Sequence, residues 1–389
     1  MKSFTLKSVL MIVLISLTVS AAKCSTNTSP VVTQTNTTQQ GNEETPKIQV
    51  AILLDASSSM DGLINQAKAR LWSIVNTLTT LKFNRETPTI EIALYIYGND
   101  GIPAGEGHIR QLLPFTKDLD LVSEKLFSIT TNGGSEYCGM VIDQSLKNLQ
   151  WDKSANSMKL IYIAGNEPFT QGRVEYKTAV GLALENNVFV NTIHCGNYED
   201  GITGKWKDGA DRGKGKYFNI NSNQQIRYIV TPYDEMISQY NTRLNGTYIY
   251  YGSQGYTYST NQTTQDVNAT SISKENQVER TVSKSKAVYD NTSWDMVDKV
   301  KQDKDYVKNV DKKTLPKEYQ NLTTEELQKE IDKKTLEREQ IQKEIQELAK
   351  KRQAYIDEKM KEETTQDDFG LAITTSIKEF AKIKGYQME

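Results

Sequence analysis

Ile48-Gln49-Val50-Ala51-Ile52-Leu53-Leu54-Asp55-Ala56-Ser57-Ser58-Ser59-Met60 joins a short, apolar, partly β-branched run to a cluster of oxygen-bearing side chains. Such a run ending on a carboxylate is the pattern of a strand buried on both faces. Behind it Leu63, Ala67, Leu71, Val75, Leu78 and Leu81 recur at spacings of four and three, which gives a helix with one apolar stripe turned to a sheet. The alternation continues outward: strands over 89–96, 159–163, 188–193 and 216–220, an edge strand over 108–115, and helices over 122–127, 140–149, 174–184 and 226–244. The pattern predicts an α/β fold, a doubly wound, mostly parallel sheet with helices on both faces. In such sheets ligands bind beyond the carboxyl ends of the strands.

The polar residues fall at that end. Asp55, Ser57 and Ser59 lie in the turn from first strand to first helix, where one carboxylate and two hydroxyls at alternate positions converge on a single hard cation. A strand, D-x-S-x-S and then an amphipathic helix resembles the von Willebrand factor A domain and its metal-ion-dependent adhesion site, over residues 47–244. The resemblance implies Mg²⁺ or Mn²⁺ held by Asp55, Ser57, Ser59 and a hydroxyl from a later Gly-rich loop. Gly133-Gly134-Ser135-Glu136 stands at that loop and makes Ser135 the substitute for the family's Thr. The family also has an Asp after a middle strand, and here that position is Gly165, with Asn166, Glu167 or Glu136 as the residues open to compensate for it. The site the resemblance implies is therefore incomplete. An alternative stands beside it, in which Asp55 and the serines cap the first helix and hold no ion.

The resemblance further implies a binding function, in which a protein partner presents an acidic residue to the cation's open position. The competing expectation is a metal-free envelope scaffold that works through its C-terminal helices. Enzymatic readings find no support: there is no Gly-x-Ser-x-Gly elbow, and neither His108 nor His194 sits in a catalytic signature. The loop Gly209–Gly215 is one residue short of a phosphate-binding motif and reads as a flexible entry to the next strand. Cys138 and Cys195 both map to the carboxyl end of the sheet, which predicts either a disulfide or two small buried residues.

Composition sets the outer limits. The 389 residues allow about two domains. With 47 Lys+Arg against 49 Asp+Glu there is no basic field for nucleic acid. Two histidines and three cysteines leave oxygen as the main metal donor. Residues 1–22 have the order of a signal peptide: Lys2 and Lys7, an apolar core over Val9–Val19, then Ser20, Ala21 and Ala22. Export to the periplasm, the outer membrane or the medium is expected. Cys24 stands where a lipoprotein carries its lipid anchor, although Lys23 replaces the usual small residue, so an anchored and an unanchored chain both remain open. Residues 23–46 read as a disordered linker.

Beyond the α/β domain, 245–285 is Tyr-rich and then polar, the pattern of a linker. A helical extension over 286–389 follows. In it Thr323 and Glu326 form a capping box that opens a helix over 324–362, and a final amphipathic helix spans 369–386. The seam of Leu327, Ile331, Ile341 and Ile345 is interrupted by Lys334, Arg338 and Arg352, too polar for a strong coiled coil. An antiparallel hairpin of the two helices is expected, on a tail separable from the α/β domain.

Overall fold

A computed structural model describes residues 46–361 and 369–388. The signal-peptide, linker and Cys24 expectations lie outside them. In chain order the elements are β1 Lys47–Asp55, α1 Asp61–Thr79, β2 Leu81–Lys82, β3 Thr89–Tyr97, β4 Arg110–Thr116, α2 Leu119–Phe127, α3 Cys138–Asn148, β5 Met158–Gly165, α4 Tyr176–Glu185 and β6 Phe189–Cys195. There follow α5 Tyr198–Thr203, α6 Trp206–Arg212, β7 Lys214–Ile220, α7 Asp234–Asn245, α8 Gly255–Ile272, α9 Lys274–Lys284, α10 Met296–Gln302, α11 Thr324–Met360, α12 Phe369–Ile383 and β8 Gln387–Met388.

Six strands form one sheet in the order β4-β3-β1-β5-β6-β7. All neighbours are parallel except β3 and the edge strand β4, whose Pro114 is tolerated because an edge needs no second hydrogen-bond partner. This is the doubly wound architecture that the resemblance implies. Strand β1 at the centre explains it: Ile48, Val50, Ile52 and Leu54 enter a core with α1 and α2, whereas Ala51 and Leu53 enter the opposite core with α3 and α4. Side chains alternate across a strand, so the unbroken apolar run Val50–Leu54 requires helices on both faces. The strand order reverses between β1 and β5, so the loops after these two strands diverge and leave a crevice.

Three expectations are corrected. The stretch 245–285 is no linker: it contains α8 and α9, and the described residues belong to one compact unit, Glu44–Glu389. Its buried charged side chains are paired within the stretch and with α2 and α7. Arg280 reaches Asp120 and Asp266, both at 2.6 Å, and Lys284 donates to Asp266, Asn241 and Asn245. Second, α12 does not pair with α11. Phe369, Ile373, Ile377 and Phe380 enter the core formed by β1 and α1, Ser376 donates to Asn191 on β6, and β8 pairs antiparallel with β2. An apolar stripe on a short helix is better buried on an open sheet face than on the polar surface of α11. Third, the Gly209–Gly215 loop is mostly α6, anchored by the fully buried Trp206, whose indole donates to Glu167 O at 2.8 Å.

The capping box and the long helix occur as expected, with Thr323 and Glu326 exchanging hydrogen bonds. The residues that interrupt its apolar seam are themselves paired. Arg338 bonds Asp295 and Asp298, Arg352 bonds Asp234, and Lys334 donates to Gly246 O. No helix among the described residues is long and apolar enough to cross a membrane.

Candidate metal centre

The turn after β1 and the loop 131–137 are zipped together by backbone bonds. Ala56 N donates to Tyr97 O, Asn132 N to Ala56 O and Ser58 N to Gly133 O, while Ser58 Oγ accepts from Gly133 N. These bonds hold Asp55 at the bottom of the crevice, 0 % exposed, with Oδ1 accepting from Ser57 N at 2.8 Å. Its other oxygen, Oδ2, is buried and has no hydrogen-bond partner. Tyr97 does not supply one, because its hydroxyl donates to Ala164 O at 2.9 Å. Ser57 Oγ and Ser59 Oγ are 3.3 Å apart, and Asn166 Nδ2 donates to Ser59 Oγ at 3.3 Å. Neither the short 3₁₀ turn at Ser58–Met60 nor α1 has a side-chain cap, so the serine hydroxyls are not engaged as helix caps.

Asp55, Ser57 and Ser59 thus lie within one turn, Ser57 in contact with both of the others. Ser135, on the loop 131–137, is half-buried and makes no hydrogen bond to any of the three among the described residues. The side chain brought in from that loop is its neighbour Glu136, 3 % exposed. A Cβ placed on Gly98 would lie 2.8 Å from both Asp55 Oδ1 and Glu136 Cγ, which fixes how closely the two side chains approach. Gly98 has φ +73°, a conformation glycine adopts freely. Glu136 is held from the far side, where its N donates to Gln171 Oε1 and its Oε2 accepts from Glu167 N, each at 3.3 Å. Adjacent residues of a non-helical segment face different ways, and the motif gave no means of choosing between Ser135 and Glu136.

Burial is the main cause that pushes both carboxyls up from their ordinary values; for Glu136 the hydrogen bond and charge of Asp55 add to it. Two carboxylates this close in a dry site retain a proton between them unless a cation replaces it. Among the described residues no group of three or more His, Cys, Asp or Glu side chains is placed to hold an ion. A cation here draws on two carboxylates, the two serine hydroxyls and water, a donor set for Mg²⁺ or Mn²⁺ rather than for a soft metal. Oδ2 fits that use once the shared proton is displaced, since no backbone N–H or hydroxyl meets it among the described residues.

Gly165 occupies the position of the family's Asp, and its surroundings explain the departure. A Cβ there would stand 2.4 Å from Tyr97 Oη and 3.0 Å from Asp55 Oδ2. No side chain fits, and Tyr97 fills the space instead. Asn166 takes the next position, bonded to Ser59, with its carbonyl 3.3 Å from His194 Nε2. His194 is buried and hydrogen-bonded through Nδ1 to Asn219, as expected of a structural imidazole.

The disulfide expectation is overturned. Both cysteines are free: Cys138 packs in the core with Leu53 and Val141, Cys195 in the opposite core with Leu54 and Ile193. They share an end of the sheet but lie on its two faces. Burial raises both thiols, which leaves them uncharged packing residues.

No family model matches the chain, and no curated protein matches it. Solved structures with a similar fold include an aerotolerance-related membrane protein from Bacteroides fragilis, 16% identical, covering 45% of this chain and 93% of that one at a TM-score of 0.33. The SpRpn10 VWA domain is 17% identical over 45% of this chain and 88% of its own, at 0.33. Proximal thread matrix protein 1 from mussel byssus, with a zinc-occupied MIDAS motif, is 11% identical over 45% of this chain and 42% of its own, at 0.35.

Proposed function

We propose that the chain is an exported binding protein of the von Willebrand A type that holds Mg²⁺ or Mn²⁺ at the carboxyl edge of its sheet and engages a protein partner there. The observation that carries this reading is the buried carboxyl of Asp55, whose Oδ2 has no hydrogen-bond partner and whose Oδ1 lies on the side of the buried Glu136. A divalent ion bound by Asp55, Ser57, Ser59 and Glu136 satisfies these oxygens together, and its remaining position takes an acidic side chain of the partner. The export component rests on the order of residues 1–22.

Calorimetric titration of Mg²⁺ and Mn²⁺ into the chain, beside Asp55→Ala and Glu136→Gln, tests the reading. Binding is expected in the parent and lost in Asp55→Ala. Because the pair's raised carboxyls must give up their proton to the incoming ion, affinity is expected to increase with pH, by up to about tenfold per unit. A parent chain that binds no ion at concentrations on the order of several millimolar, the weak end for such sites, hands the case to the metal-free scaffold.

A further inference from the structure

On the Ser59 side of the cation site a cleft of about 410 Å³ opens at the ends of β5, β6 and β7, between Ser59, Asn166, Cys195, Gly196, Ser222 and Asn223. No lining side chain carries a charge, since Cys195 is the one titratable group and burial keeps its thiol protonated. One wall is rigidly built. Gln66, 3 % exposed, donates Nε2 to the carbonyls of Asn221, Ser222 and Gln224 at 2.8, 3.1 and 3.2 Å. The loop lies so close to α1 that a Cβ on Gly62 would stand 2.3 Å from Ser222 O. The opposite wall is Asn166, tied to Ser59 by Nδ2 while its Oδ1 is buried with no partner. A buried polar atom left unmet in a prearranged cleft is a hydrogen-bonding position for a ligand.

We propose that this cleft is a second subsite of the binding edge and takes an uncharged hydrogen-bonding side chain, an amide or a hydroxyl, next to the partner's acidic residue; this rests on the binding function proposed above. Ser59 belongs to both sites. The steps from Ser57 Oγ to Ser59 Oγ and on to Asn166 Nδ2 are 3.3 Å each. Together they span about one to two residues of extended peptide at ~3.3–3.6 Å per residue. A charged head group finds no counter-charge in the cleft, and an apolar one leaves Asn166 unpaired, so both are discriminated against.

The test is an array of short peptides, each with one aspartate followed by a different amino acid, probed with the full chain in Mg²⁺ and again with chelator. Asn, Gln, Ser or Thr after the aspartate is expected to raise retention about tenfold over Ala, the size of one hydrogen bond that relieves a buried unmet group. Asn166→Ala flattens that preference but keeps the dependence on aspartate and Mg²⁺. Asn223→Asp, at an exposed position, shifts the preference toward lysine. A preference unchanged in both variants, or one for charged or large apolar residues in the parent, overturns the inference and leaves the cation reading standing. Retention independent of aspartate and Mg²⁺ overturns both.

Discussion

Gly165 lies where two side chains, Tyr97 and Asp55, already fill one small volume. Tyr97 is fully buried and its hydroxyl is committed to Ala164 O, so it has no room to swing away from an added methyl group 2.4 Å distant. Gly165→Ala is therefore expected to cost about 1–3 kcal/mol, the usual range for overpacking, and Tyr97→Phe in that background to return part of it by removing the nearest atom. Equal denaturant midpoints for Gly165→Ala and the parent would show that the crevice yields more easily than its contacts indicate. The cluster of Asp55, Ser57 and Ser59 was legible in the sequence because a strand fixes the alternation and the motif fixes the spacing. Glu136 was legible only as one of three substitutes, beside Asn166 and Glu167, since residues 131–137 form neither helix nor strand and no period singles it out. The absence of the family's Asp at Gly165 was equally legible. Its cause was not, because Tyr97 comes from another strand.

At the scale of elements, α8 and α9 join the rest of the fold through ions. Arg280 is fully buried, bonded to Asp120 on α2 and Asp266 on α8, and its guanidinium lies 4.7 Å from the centre of the Trp72 ring on α1. Asp120 also accepts from Tyr289 Oη at 2.6 Å. Truncating Arg280 to Met leaves a buried carboxylate without its counter-charge, and the expected loss is about 3–5 kcal/mol. Adding Asp120→Asn removes that charge and is expected to recover part of the loss, because an amide still accepts from Tyr289. If the double variant is no more stable than Arg280→Met by chemical denaturation, stranded charge is not the cause. This network also shows why the region was misread. Apolar period carried the six strands of the main sheet and α11, but α8 has almost no apolar stripe, and polar residues read singly look solvent-facing. Only their pairing across α2, α8 and α9 buries them, and pairing across elements has no local sequence signal.

For the whole molecule, the last described helix completes the first domain. Phe369, Ile373, Ile377 and Phe380 are each no more than 1 % exposed, seated in the core with α1 and the central strands. Burying four such side chains contributes about 6–12 kcal/mol at ~1.5–3 each, comparable to the whole stability of a typical domain, about 5–15 kcal/mol. The start of α12 is further tied to the carboxyl edge of the sheet, because Phe369 N donates to Gln66 Oε1, the same amide whose Nε2 holds the loop 221–224. A chain ended before Phe369 is thus expected to lose cooperative unfolding and to bind hydrophobic dye, and a synthetic peptide of residues 369–388 added to it is expected to restore a single transition. In the intact chain the same packing predicts that limited proteolysis spares Ser259–Ser285 and that no α/β fragment ending near Tyr258 accumulates. A truncated chain that melts sharply at the parent's temperature, or early cleavage within Ser259–Ser285, would return the C-terminal region to the status of a separable tail.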